Sequence, residues 1–211
     1  MSRAAPIGPH GFARVFPVAP EILARLEAYA ALLTRWSAHI NLVSRDSLAD
    51  LWRRHILDSA QLYRFVPSSA RSLIDLGSGA GFPGLVLAIL GARGVELIEA
   101  DQRKVAFLRE AARITAADVR IRSCRIEAAP PHSADVATAR ACARLDRLLD
   151  LAERFIASDT VCLFPKGERF EEELTLARKA WTMTVSVEPS LSDRRGVVLR
   201  LQQVAREPCR H

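Results

Sequence analysis

Leu73-Ile-Asp-Leu-Gly-Ser-Gly-Ala-Gly-Phe-Pro-Gly84, running on into the apolar stretch Leu85 to Leu90, is the segment on which the fold turns. Leu73-Ile74 closed by Asp75 predicts the end of a buried strand, and Leu85 to Leu90 predicts a helix. Between them Gly77, Gly79, Gly81 and Gly84 fall within eight residues of a chain that holds ten glycines, a density no ordinary turn requires. Glycine reaches positive φ at little cost and lets a ligand approach where a Cβ would clash. The helix start adds free N–H groups and the positive end of a dipole. Strand, glycine turn and helix in this order make a nucleotide-cradling unit.

Two readings of that unit compete. Gly79-Ala-Gly81-Phe-Pro-Gly84 fits the dinucleotide pattern GxGxxG, but that pattern starts directly after the strand. Counted from the strand end, the run is Asp75-Leu-Gly77-Ser-Gly79-Ala-Gly81, an acid followed by alternating glycines. That run resembles the first motif of class I S-adenosylmethionine-dependent methyltransferases. The chemistry agrees, since an amino-acid and ribose ligand calls for carboxylates and close backbone, with no pyrophosphate to seat.

The rest of the chain extends this unit. Ile22, Leu23, Leu26, Tyr29, Leu32, Leu33 and Trp36 follow a helical period from Pro20 onward. An extended link, Ile40 to Asp46, leads to a second helix with Leu48, Leu51, Trp52, His55, Ile56, Leu57 and Leu62, capped by Ser47 or Asp46. From Arg71 strands and helices alternate: strands at Val95–Glu99, Val119–Cys124, Asp135–Ala139 and Thr160–Phe164, then two β-rich runs, Trp181–Val187 and Gly196–Val204, with no helix between them. The expectation is an α/β fold with a mostly parallel seven-stranded sheet and a C-terminal antiparallel strand. It divides into a flexible arm (1–18), a helical extension (19–66) and the main domain (67–211).

Composition narrows the classes. With 211 residues, 49% hydrophobic and 26% charged, the chain can bury one α/β core. No run approaches the roughly 18 apolar residues of a membrane span, and residues 1–17 lack a signal-peptide core, so a cytoplasmic monomer is expected. Cys124, Cys142, Cys162 and Cys209 form no CxxC pair, which argues against a metal site, and three of them read as small buried hydrophobes. The net charge of +6 favours an anionic partner. The basic run Arg103, Lys104, Arg109, Arg113, Arg120, Arg122 and Arg125, against only Glu110 and Asp118, reads either as a phosphate-binding face or as a solvated helix face.

Glu99 closes the second strand 24 residues after Asp75, where an acid meets ribose hydroxyls in doubly wound folds. Asp101 is close enough to take that role instead. Arg125-Ile126-Glu127 would lie on the same sheet edge, with a helix cap as the competing reading of Glu127.

Taken together, Asn41-Leu-Val-Ser44, Arg54-His-Ile-Leu-Asp-Ser59, Asp75 to Gly84, Arg103-Lys-Val-Ala-Phe-Leu-Arg109, Arg125-Ile-Glu127, Ala139-Arg-Ala141 and Phe164-Pro-Lys-Gly167 resemble the RsmG (GidB) family, the small-subunit ribosomal RNA guanine-N7 methyltransferases. The resemblance runs in order from about residue 25 to 205. It implies S-adenosylmethionine as cofactor and a guanine in the 530 loop of 16S rRNA, on the small ribosomal subunit or its precursor, as substrate. Carried over residue by residue, it implies cofactor contacts at Gly77, Phe82, Ile126, Glu127 and Arg140, beside Asp75, Gly79, Gly81 and Glu99 of the motif reading. Family members often carry Asp where Glu99 stands, and the proline before Lys166 departs from the pattern.

Guanine N7 has a free lone pair and no proton, so its methylation needs no general base. Enzymes that methylate exocyclic amines often carry Asn/Asp-Pro-Pro-aromatic after the fourth strand; here that place reads Thr138-Ala-Arg-Ala141. Arg140 and Lys166 are accordingly expected to position the reactants and supply electrostatics. A bidentate arginine on O6 and N7 would occupy the nucleophile, so their expected contacts are O6, phosphate or the cofactor carboxylate. Arg54, Arg103, Lys104, Arg125 and Lys166 are the expected RNA contacts. His55 reads as a structural histidine oriented by Asp58, roofing the pocket without proton transfer.

Overall fold

Two proline-started helices, α1 (Pro9–Val15) and α2 (Pro20–Ser37), begin the fold, each placing its proline where the helix has no use for an N–H. The structure, a computed structural model, describes residues 6–207. Residues 6–18 depart from the expected arm. Residues 9–15 are helical, and Phe12 is fully buried, with its ring 5.8 Å from Phe16 and 5.6 Å from Trp52. The helix is short, and its aromatic finds a partner only in the folded chain. Residues 1–5 of that expected arm lie outside the described residues.

The link before the second helical segment ends at Ser44, whose hydroxyl accepts the Ser47 N–H at 3.2 Å and caps α3 (Arg45–Leu48). Ser44 thus takes the role expected of Ser47 or Asp46, because the helix begins earlier than its apolar residues suggest. A π-helical turn, Trp52–Leu57, then passes into α4 (Asp58–Ala60) and a 3₁₀ turn, Gln61–Phe65. Leu26, Tyr29 and Leu33 of α2 belong to the same core as Leu85, Leu97 and Phe107, so the N-terminal helices and one sheet face share a single apolar interior.

β1 (Leu73–Leu76) follows, then α5 (Gly84–Ile89), β2 (Val95–Glu99), α6 (Gln102–Thr115), β3 (Val119–Ser123), β4 (Val136–Thr138), α7 (Leu145–Ala152), β5 (Val161–Lys166), α8 (Phe170–Ala177), β6 (Trp181–Pro189) and β7 (Val197–Arg206). The seven strands order as β3-β2-β1-β4-β5-β7-β6. β1 pairs parallel with both β2 and β4, while β7 runs antiparallel to β5 and β6. This is the expected sheet, with the antiparallel strand lying between β5 and the edge strand β6. β4 ends opposite Leu163, so at Pro165 strand β5 has β7 alone as its partner and the ladder has fewer N–H groups to lose.

Alternation along the strands sends Leu73, Val95, Leu97 and Leu163 to the face covered by α2, α5 and α6. Ile74, Leu76, Ile98 and Phe164 face α7 and α8 on the other side. β1, buried along its whole length, contributes to both cores. Among the described residues no helix is long and apolar enough to cross a membrane.

The approach of α5 to β1 depends on Gly84. A Cβ there would lie 2.6 Å from Asp75 Cβ and closer still to Leu97 Cδ2. Gly84→Ala should therefore cost about 1–3 kcal/mol through overpacking. Urea unfolding checks this: the midpoint should fall with the slope unchanged, and an unshifted midpoint would remove the packing argument.

Candidate active site

The sheet order reverses beside β1, where β2 lies on one side and β4 on the other, and in doubly wound folds this is where a crevice forms beyond the strands' carboxyl ends. The turn after β1 fills one wall. Gly77, Gly79 and Gly81 have φ of +67°, +58° and +96°, values that L side chains rarely adopt. Ser78 ties the turn down, its N–H donating to Ile98 O at 2.9 Å and its hydroxyl to Asp75 O at 3.1 Å. Tyr29, fully buried on α2, donates its hydroxyl to Ala80 O. Burial pushes the tyrosine well above its ordinary pKa, so it remains a donor.

Asp75 is fully buried, with Oδ1 accepting from Thr138 Oγ1 at 2.9 Å and Oδ2 from Gly84 N–H at 3.2 Å. Where a cofactor contact was expected, each of its oxygens makes a bond inside the protein that ties β1 to β4 and to α5. Burial raises its pKa to about 6, against hydrogen bonds and Arg140, which lower it.

Glu99 stands at the crevice, 9% exposed, accepting Gly79 N–H and Asp101 N–H at 2.8 Å each. Asp101 is otherwise occupied. It caps α6 through the Arg103 N–H at 2.9 Å, and that hydrogen bond chiefly lowers its pKa. Of the two acids, Glu99 is the one that touches the glycine turn. Ile126 opens a 3₁₀ turn, Ile126–Ala128, and its Cδ1 lies 3.9 Å from where a Gly77 Cβ would be. Glu127 is exposed and faces Arg147 at 3.4 Å.

Phe82 is almost completely buried beneath the roof formed by the π turn. The His55 ring stacks on it at 5.0 Å and 25°, and the Arg140 guanidinium lies 4.8 Å from its centre. Arg140 leaves the end of β4 and reaches this roof, where it donates to Arg54 O at 2.9 Å and lies 3.5 Å from Asp58 Oδ2. Asp58, expected to orient His55, instead accepts Ser192 Oγ at 2.6 Å and Gln61 Nε2 at 3.1 Å and pairs with Arg140. The π turn rotates the two side chains away from the relation an α-helix would give them.

Lys166 is a second departure. Its side chain is 9% exposed, and Nζ donates to Glu173 Oε2 at 2.8 Å and Ala143 O at 3.1 Å. Glu173 also accepts Leu145 N–H. The lysine thus tethers the segment after β4, where a contact to RNA or substrate was expected. The partner glutamate sits on the following helix, where no motif marked it.

Arg54 lies in the π turn, Arg103 and Lys104 in the first turn of α6, and Arg125 just after β3; Lys104 is half-buried and the other three are exposed. Arg103 lies 3.5 Å from Asp101. Asn41, Ile40, Asp101, Arg103 and Lys104 line a hollow of about 220 Å³. A larger one, about 320 Å³, lies at the opposite edge of the sheet beside Gly94, Glu96 and Arg120, away from the glycine turn. Among the described residues no cluster of metal-ligating side chains occurs.

Cys142 was missed as part of the site. It is exposed, and its Sγ would lie 3.0 Å from a Cβ at Gly77. Burial chiefly raises its pKa, helped by Asp75, Glu127 and Glu99. Cys124 is half-buried and Cys162 buried, while Cys209 lies outside the described residues. Tyr29 read only as a core residue, and nothing local marked its bond to the glycine turn.

A sequence profile of the family described as "rRNA small subunit methyltransferase G" matches residues 22–196. Proteins named ribosomal RNA small subunit methyltransferase G from Rhodospirillum centenum and Paramagnetospirillum magneticum are 53% and 52% identical to this chain. They cover 92% and 95% of it, and 90% and 98% of their own lengths are matched. Among solved structures, an O-methyltransferase described as putative from Klebsiella pneumoniae has a TM-score of 0.58 at 16% identity, over 91% of this chain and 94% of that one. Aeropyrum pernix fibrillarin, with natively bound S-adenosyl-L-methionine, has a TM-score of 0.51 at 13% identity, over 64% and 67%. These structural likenesses speak for the fold.

Two outcomes are expected. Lys166→Met, which strands Glu173 in a half-buried site, should lower stability by about 3 kcal/mol; unchanged stability with lost methyl transfer would return the lysine to a substrate role. Asp75 takes up its proton at higher pH in the folded chain than in the unfolded one. Its contribution to stability should therefore decline as pH rises from about 4 through about 6, and Asp75→Asn should flatten that part of a urea-melt pH series.

Proposed function

Because the chain belongs to the rRNA small subunit methyltransferase G family, an S-adenosylmethionine-dependent family, we propose that it transfers the cofactor's methyl group to N7 of a guanine in the 530 loop of 16S rRNA. The crevice geometry fits such a cofactor. Gly77 keeps open a slot between the turn, Ile126 and Cys142 that a Cβ would fill. Glu99 uses one lone pair of each oxygen on a backbone N–H and retains others for ribose hydroxyls. Bound S-adenosylmethionine would supply a methyl group on a sulfonium, open to in-line displacement.

The observation that carries the N7 reading is the group following β4. An exocyclic amine must shed a proton, and an acceptor is needed near its nitrogen. Here Arg140, which has no acceptor atom, occupies that place and is turned into the roof. His55 is held down to about pKa 3, chiefly by burial and then by Arg140 and Arg54, and its Nδ1 already faces Arg140 at 2.7 Å. Neither is equipped as a base. N7 offers its lone pair without one, so orientation can supply most of the acceleration.

Substrate affinity is assigned to the rim. Arg54 in the π turn, Arg103 and Lys104 at the start of α6 and Arg125 after β3 are cations suited to backbone phosphates. The hollow beside Asn41 and Lys104 lies next to the helix start that follows Glu99.

Small subunits from cells lacking the protein, incubated with it and methyl-labelled S-adenosylmethionine, test the reading. Borohydride and aniline treatment cleaves RNA at N7-methylguanine. One new cleavage in the 530 loop, carrying the label, is expected. Label without cleavage would keep the methyltransferase and discard N7. Binding of the RNA should also weaken steeply with salt, by about tenfold or more between 50 and 200 mM.

A further inference from the structure

The π turn and the end of β4 meet at one guanidinium. Within five residues the turn presents Arg140 with three acceptors: the Arg54 carbonyl at 2.9 Å, His55 Nδ1 at 2.7 Å and Asp58 Oδ2 at 3.5 Å. The helical irregularity makes this possible. In an α-helix the Asp58 N–H would take the Arg54 carbonyl. Here it bonds to Arg53 O and His55 O, which leaves the Arg54 carbonyl to Arg140. The guanidinium is thereby held over Phe82, on which the His55 ring also stacks.

This arrangement decides the state of His55. Arginine has donors only, so Nδ1 must carry the lone pair and the proton sits on Nε2. Nε2 is buried with no protein partner, so nothing competes for the other tautomer. Of the charged groups facing the ring, Arg140 and Arg54 disfavour the imidazolium, and Asp58 is directed to Ser192, Gln61 and Arg140.

We propose that His55 is a positioning residue for cofactor binding: its neutral Nδ1, with the Arg54 carbonyl and Asp58, clamps Arg140 over Phe82 at the mouth of the crevice. This rests on the reading that Arg140 faces bound cofactor. The clamp reaches further through Asp58, which accepts Ser192 Oγ, while Gln61 Oε1 accepts Leu191 N–H at 2.7 Å. The turn between β6 and β7 is therefore fastened to the same guanidinium.

The two ring nitrogens can be separated by substitution. Asn at position 55 places an acceptor near Nδ1, and Gln places its amide near Nε2. His55→Asn should bind S-adenosylhomocysteine nearly as wild type does, whereas His55→Gln should bind about tenfold more weakly, the loss of one hydrogen bond to a charged donor. Long-range ¹H–¹⁵N correlation should report the Nε2–H tautomer, unchanged between about pH 5 and 9. Circular dichroism melts identify any variant that fails to fold; the tautomer measurement on the unmodified chain then decides alone.

An Nδ1–H tautomer, a ring titrating near its ordinary value, or His55→Gln binding as tightly as wild type would overturn the clamp. Arg140→Lys separates the two layers of the argument. Lost affinity there with unaffected His55→Gln overturns the clamp alone. Wild-type affinity in Arg140→Lys overturns the cofactor reading on which the clamp depends.

Discussion

The carboxylate of Asp75 is the contact from which the site is built. It lies at the end of β1, sealed from water, and joins the hydroxyl of Thr138 on β4 to the first N–H of α5. A buried carboxylate is costly unless its lone pairs are taken. These two donors offset part of that cost, burial still raising the pKa to about 6, and they also fix where β4 ends relative to the glycine turn. β4's end sets the departure point of Arg140, and α5's start sets the turn that cradles Glu99's partner amide at Gly79. Remove the side chain of Gly84's neighbour Leu97, or add one at Gly84, and the spacing changes for all of them.

The N-terminal helices complete this frame from above. Tyr29 reaches from α2 to the Ala80 carbonyl, and Phe82 is enclosed by Tyr29 and His55, with ring centres 5.4 Å and 5.0 Å away. A glycine-rich turn has high backbone freedom and loses it on folding. Three positive-φ glycines in five residues would be a mobile element without such fastening. The roof therefore shapes the site by immobilising the turn, and the shared apolar interior of α2, α5 and α6 makes that fastening part of the core.

What was legible in the sequence was local. The acid and alternating glycines, the strand-end Glu99 and the paired final strands each depend on residues a few positions apart, and each stands where its pattern indicated. What was illegible depended on contacts between distant segments. Lys166 reads as an available cation until Glu173 is placed beside it, and Cys142 reads as a core residue until Gly77 faces it. Phe12 lies in an arm too short to fold alone and is buried only because Trp52 receives it. The π turn was hidden for a further reason: the spacing of His55 and Asp58 implies an α-helical face, and one extra residue in the turn redirects both toward Arg140.

The proposed chemistry explains why such a site can be rich in positive charge. Methylation of N7 moves one positive charge from a sulfonium to a guanine without creating or removing any. Nearby cations therefore penalise reactant and product alike, and a rate advantage must come from their placement. A free arginine at the reacting edge would be a liability, able to cap N7 or to repel the sulfonium. Held by Asp58, the Arg54 carbonyl and a neutral His55, the Arg140 guanidinium has several of its five donors and part of its charge already engaged. The same clamp that positions it leaves it with little capacity to take the nucleophile's lone pair. Neutrality of His55 is part of that balance, since a protonated ring beside Arg140 would break the contact and add a second cation at the same point.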